Sequence, residues 1–129
     1  MTRTIPKIPA SEWEVMEVLW SDPRLTGAEV HERLSTRHDW KPKTVNTFLA
    51  RLVERGVLEA ERVGKAYRYT PRVDRVSCVR AESANFVRRV LGGQWSPLVL
   101  QLVESADLTE TDIEELETLL REKRREVGE

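Results

Sequence analysis

The sequence has one cysteine, Cys78, and two histidines, His31 and His38, in 129 residues. A single thiol cannot staple a fold, and its isolation matches a reducing compartment. The cysteine and the histidines lie at no metal-ligand spacing, so neither a metal nor a cofactor is expected. No glycine-rich phosphate loop and no nucleophile motif is present, which leaves an enzyme without its machinery. Long apolar runs are also missing, which excludes a spanning helix and direct membrane insertion. The N-terminal MTRTIPKIPASEWEV lacks an apolar signal core. No export is therefore expected, and the chain is expected in the cytoplasm.

What is present suits a soluble globular chain. Hydrophobic residues make up 40% and charged residues 33%, enough apolar content for a core. The net charge of -1 hides an uneven distribution. From Arg37 to Arg72 there are nine basic residues against four acidic ones; from Gln101 onward there are four against ten. A basic middle and an acidic tail point to different partners.

Hydrophobic spacing predicts a first helix over about 10–21, with Trp13, Met16, Leu19 and Trp20 as its core stripe, stopped by Asp22-Pro23. Thr26 and Glu29 form a capping-box pattern for a second helix, with Val30 and Leu34 inward. A third follows from Pro42 or Lys43 to Arg55, with Val45, Phe48, Leu49, Leu52 and Val53 on one side and Gly56 as its stop. Residues 57–62 and 66–70, joined through Val63-Gly64-Lys65, read as a β-hairpin closed by Pro71. The remainder is helical: about 73–91, then a short helix from Ser96 or Pro97, then one capped by Thr109 with Asp112 at the box position. The fold class is mainly α with a small β-hairpin. Residues 1–72 are expected to form a winged helix-turn-helix, and residues 73–129 a three-helix dimerisation domain.

Three helices followed by a hairpin is the order of a winged helix, whose third helix enters the major groove of double-stranded DNA. The polar side of KPKTVNTFLARLVERG fits that use. Thr44, Thr47 and Ala50 are small enough for close approach, threonine methyls suit the thymine methyl, and Asn46 or Arg51 can pair with base edges. Lys41 and Lys43 stand at the helix start, where phosphates bind, and Arg62, Lys65 and Arg68 lie on the hairpin. The short helix PLVLQLVES is apolar all round and needs cover on every side. A second copy is the simplest cover, and a two-fold dimer matches a palindromic site. The face expected to join the copies comprises Phe86, Val90, Leu98, Val99, Leu102, Val103, Ile113, Leu116 and Leu120. The other possible cover is the chain's own N-terminal domain.

The segment WKPKTVNTFLARLVERG resembles the recognition segment of the penicillinase-repressor family, the BlaI/MecI-type regulators related to the CopY-type ones. EWEVMEVLW (12–20) resembles that family's first helix, VGKAYRYTP (63–71) its wing, and LVLQLVE (98–104) with DLTETDIEEL its C-terminal region. The resemblance spans nearly the whole chain. It implies a homodimeric transcriptional repressor on an inverted-repeat operator, controlling β-lactam-resistance or related stress genes. By matching position it carries Lys43, Thr44, Thr47 and Arg51 over as DNA contacts, with Lys65 and Arg68 on the wing. It also brings in a membrane-sensor-dependent protease pathway that cuts the family's short helix at an Asn-Phe bond. The matching pair here is Gln101-Leu102. The cysteine-rich metal site of CopY-type members has no counterpart in REKRREVGE, so copper sensing by that site is excluded. Two other readings of the residues stay open: a winged-helix regulator that senses a small molecule, and a winged-helix module that binds protein.

Overall fold

The computed structural model describes residues 5–128. Residues 1–4 of the segment read for an export signal, and Glu129 of the acidic tail, lie outside the described residues. The chain divides into two compact units, Met1–Phe86 and Val87–Glu129.

The first unit begins with α1 (Ala10–Ser21), entered through Pro9 in an extended conformation. Its buried positions are Glu12, Val15, Met16 and Leu19, one helical stripe that includes a carboxylate. Trp13 and Trp20 lie beside this stripe, half-buried, with their rings edge to face at 5.4 Å. After a turn through Asp22 and Pro23 the chain forms β1 (Leu25–Thr26) and enters α2 (Gly27–Leu34). Thr26 closes the expected capping box: its hydroxyl accepts from the Glu29 amide at 3.2 Å, and the Glu29 carboxylate accepts from the Thr26 amide at 2.9 Å.

The next helix, α3 (Pro42–Glu54), has proline in its first turn, where a missing amide hydrogen costs nothing. Val45, Leu49 and Leu52 are fully buried beneath it. Its end is a Schellman motif. Gly56 takes φ +79, its amide donates to the Val53 carbonyl, and the Val57 amide donates to the Leu52 carbonyl at 2.9 Å. A side chain at Gly56 would be strained there, and the reversal delivers Val57 straight into the core.

Two longer strands, β2 (Leu58–Val63) and β3 (Ala66–Pro71), form the expected hairpin around Gly64, which holds φ +66 in a two-residue turn. The sheet has a third strand that hydrophobic spacing did not predict. β1 pairs antiparallel with β3, Leu25 opposite Tyr69 and Thr26 opposite Arg68, giving the order β1-β3-β2. Two residues are too few to show alternation, so only the pairing defines this strand.

The first turn of α4 (Arg75–Leu91) is fastened to α1. The Trp20 indole donates to the Val73 carbonyl at 2.9 Å, and the Arg75 guanidinium meets Glu17 at 3.0 Å. Cys78 is 2% exposed and completes the core of this unit.

The second unit takes the end of α4 from Val87, then α5 (Ser96–Ser105) and α6 (Glu110–Gly128). The box expected at Thr109 is formed, its hydroxyl accepting from the Asp112 amide at 3.1 Å and Asp112 accepting from the Thr109 amide at 3.0 Å. Among the described residues of this unit, no side chain is buried in the single chain. Trp95, Leu100 and Leu120 are exposed by 60%, 68% and 68%. The apolar positions of α5 were expected to be covered; the chain by itself leaves them open.

Candidate nucleic-acid interface

The elements around α3 leave one of its sides in water. Opposite the buried Val45, Leu49 and Leu52 lie Lys43, Asn46, Thr47, Ala50 and Arg51, all exposed, with Thr44 half-buried at the border. Lys41, Lys43 and Arg51 form no ion pair among the described residues. The helix start has no side-chain cap, so its first turn keeps its positive dipole end open to an anion.

The side chains on this face are not equivalent. The Thr47 hydroxyl donates to the Lys43 carbonyl at 3.0 Å. Its proton is spent on the backbone, which leaves a methyl group and an acceptor lone pair for any ligand. Asn46 stands at the edge of the face, against α2. A Cβ placed on Gly27 would lie 2.8 Å from the Asn46 carboxamide oxygen and 3.5 Å from Leu49 Cδ1. A side chain at position 27 would therefore require the exposed Asn46 carboxamide to turn aside.

The wing residues divide in the same way. Lys65 is exposed at the tip, without an ion pair among the described residues. Arg62 bends back through its Nε to the Gly64 carbonyl at 3.2 Å. Arg68 is engaged inside the fold: Nη1 donates to the Arg24 carbonyl at 2.9 Å and lies 3.6 Å from Glu29. Glu29 is held below the ordinary carboxylate value first by the Thr26 amide and then by the Thr26 hydroxyl, with the charge of Arg68 adding to them.

Three features escaped the sequence reading. Arg24 takes φ +72, uncommon for a residue with a side chain, and pairs with Glu61 at 3.4 Å. Nothing in its neighbours in sequence signals that conformation. Tyr67, opposite Arg62 in the sheet, is half exposed on the wing. Glu12 is buried and paired with Arg55 at the end of α3. That pair was legible in principle, because Glu12 shares the helical phase of Val15, Met16 and Leu19.

A family model described as penicillinase repressor matches residues 8–122. The chain belongs to the penicillinase repressor family. It is a transcriptional repressor. Among similar proteins, the penicillinase repressor of Bacillus licheniformis is 34% identical over 93% of this chain and 94% of its own length. The methicillin resistance regulatory protein MecI of Mammaliicoccus sciuri is 32% identical over 91% of this chain and 95% of its own. Among solved structures, the DNA-binding domain of the repressor BlaI matches with a TM-score of 0.52 at 38% identity. It covers 57% of this chain and 90% of that domain. The Bacillus licheniformis BlaI monomer, solved in complex with the blaP half-operator, matches with a TM-score of 0.50 at 38% identity and the same coverage. No helix among the described residues of the repressor is long and apolar enough to cross a membrane. None of its described His, Cys, Asp and Glu side chains form a group of three that could hold a metal ion.

Proposed function

We propose that the repressor acts as a homodimer on an inverted-repeat operator, with α3 in the major groove and the β2–β3 wing along the backbone. The observation that carries this reading is the face of α3. A fully buried apolar stripe seats the helix on the core, while the opposite side offers small side chains and unpaired cations and no acid before Glu54. In the reading, Thr44, Thr47 and Arg51 meet bases, with Asn46 at the edge. Lys41, Lys43 and Lys65 hold phosphates. Arg62 and Arg68 contribute less, because each already binds a carbonyl of the chain. Residues 1–72 serve DNA binding and residues 73–129 dimerisation.

The exposed apolar side chains of the second unit support the dimer. Val90, Val99, Leu102, Val103, Ile113 and Leu120 are exposed in one chain, with Phe86 just before the unit exposed too. A patch of this composition is an interaction site in a soluble protein. Leu98 and Leu116 are half-buried in one chain and are assigned to the same dimer face in this reading.

The relatives' names link them to penicillinase and to methicillin resistance. Genes for β-lactam resistance, or a related stress operon, are therefore the proposed targets. In the protease pathway, the bond to be cut is Gln101-Leu102. It lies inside α5, where the Ser105 hydroxyl donates to the Gln101 carbonyl at 2.8 Å. A protease needs extended backbone, so α5 must first open. Incubation with the cognate sensor followed by intact-mass measurement tests this; fragments ending elsewhere would refute it.

The test of the DNA reading is selection of genomic fragments by the purified protein, with binding of the winners titrated at two salt concentrations. An inverted repeat bound by two chains is expected. Arg51→Ala should weaken it by about 1–3 kcal/mol and relax sequence preference, while Lys65→Ala should lower the salt slope by about one per protomer. Recovery of nothing above non-specific background would refute the reading.

A further inference from the structure

The repressor's only two histidines bear on one residue, Trp40, and Trp40 is the last residue before the N-cap of α3. His31, on α2, lies with Nε2 at 2.8 Å from the Trp40 carbonyl oxygen. A carbonyl can only accept, so this nitrogen carries the hydrogen and donates. The His38 ring stacks on the Trp40 indole at 4.0 Å between centroids and 3° between planes. The same indole meets the Phe48 ring of α3 at 5.2 Å between centroids, with the planes 75° apart. The Glu14 carboxylate of α1 lies 3.8 Å from His38 Nε2. Trp40 is thus gripped at its backbone from α2, on its ring face from the turn, and through a T-shaped ring contact from α3.

The backbone needs such a grip at this point. Between Leu34 and Pro42 the chain has no helix or strand to set its direction. The N-cap residue Lys41 supplies no side-chain bond to α3. Packing of Val45, Leu49 and Leu52 sets how deep α3 sits, but a helix lying on an apolar surface can still slide and tilt. Directional contacts at its entrance remove that freedom, and base reading demands it, since a hydrogen bond to a base edge tolerates only a few tenths of an ångström.

We propose that His31, through its hydrogen bond to the Trp40 carbonyl, is a positioning residue that sets the orientation of α3 for sequence-specific binding, with the His38–Trp40 stack as its second support. The inference rests on α3 being the DNA-reading helix. It separates two quantities that ordinary destabilisation moves together. Phosphate contacts by flexible lysines survive a small tilt of α3, and base contacts do not. Loss of the bond should therefore lower the ratio of operator to non-specific affinity and leave non-specific binding intact.

The experiment compares the full-length protein with His31→Ala and His31→Gln. The glutamine amide can place a donor near the position of His Nε2, so it should restore function if the bond matters. The DNA probes are the inverted repeat selected by the wild-type protein and a scrambled duplex of equal length, at one salt concentration. His31→Ala should reduce the operator-to-scrambled ratio by about fivefold, the equivalent of one lost hydrogen bond, and His31→Gln should recover most of it. Residual dipolar couplings of the α3 amides relative to those of α1, without DNA, should show a tilt in His31→Ala and none in His31→Gln. A ratio unchanged within twofold in His31→Ala, or a glutamine variant no better than alanine, overturns the proposal. If the couplings shift as expected but the wild-type protein itself fails to prefer any duplex, the DNA reading of α3 is what has failed, and the role proposed here falls with it.

Discussion

At the residue scale, the most consequential contact is the ion pair of buried Glu12 with Arg55, which is itself partly open to water. Glu12 is 2% exposed and sits among aliphatic side chains of α1, while Arg55 closes the end of α3. Removing one partner leaves a charge without compensation in a dry site. Arg55→Ala is expected to destabilise the first unit by about 3 kcal/mol, read from the urea midpoint, with a much smaller loss in the double variant Glu12→Leu/Arg55→Leu. Cys78 makes a second residue-scale case. Burial pushes its thiol up, and the Asp74 carboxylate adds to the effect, so the reactive thiolate is suppressed. Alkylation by iodoacetamide should be slow in the native protein and rapid in denaturant. Fast labelling under native conditions would show that α4 frees itself from the core.

At the scale of elements, the helix starts show how local sequence acts. Glu29, Asp74 and Asp112 each accept hydrogen bonds at the start of a helix, and each is held below its ordinary value, 4.5 for the glutamate and 3.8 for the aspartates. The first cause at each is a backbone amide: Thr26, Ser77 and Thr109 respectively. A depressed carboxylate stabilises the fold above its unfolded value, and that contribution disappears as pH falls through the lower folded value. Helicity followed by circular dichroism should therefore hold from neutral pH down to about 4.5 and decline below it, by this linkage. Asp112→Asn should flatten the part of that decline owed to α6. The wing illustrates the opposite case. Both strands of its hairpin were legible from alternation and from Gly64. The engagement of Arg68 with Arg24 and Glu29 was not, because Thr26, Arg68 and Glu61 become neighbours only when β1, β3 and β2 pair.

At the scale of the whole molecule, the two units carry opposite surface problems. The first buries its apolar residues from Ile8 to Cys78 and displays cations on α3 and the wing. The second exposes most of its apolar residues and is net acidic, with ten acidic residues against six basic ones. If two copies pair through the second unit as proposed, Leu102→Asp, which places a charge in the α5 surface, should convert the dimer to monomers in sedimentation. Operator affinity should then fall by about a hundredfold as the second half-site loses its tethered partner. An unchanged sedimentation coefficient would remove α5 from the dimer contact.

The sequence by itself determined where the helices and the hairpin lie, though not the two-residue strand β1. Capping boxes at Thr26 and Thr109, Pro42 at a helix start, Gly56 at a helix end and Gly64 in a turn all act within a few residues of where they stand. Their effects are therefore written in local order. The family could be read for a similar reason, since WKPKTVNTFLARLVERG joins core positions and a small, basic face in one helical period. Tertiary structure alone decided which charges are free. Arg51 and Arg55 are one helical turn apart and look alike in sequence, yet one points into water and the other neutralises a buried glutamate 43 residues earlier. Lys65 and Arg68 differ in the same way on the wing. A charge is settled by what comes within about 4 Å of it, and for these residues that neighbour is brought from a distant part of the chain by packing.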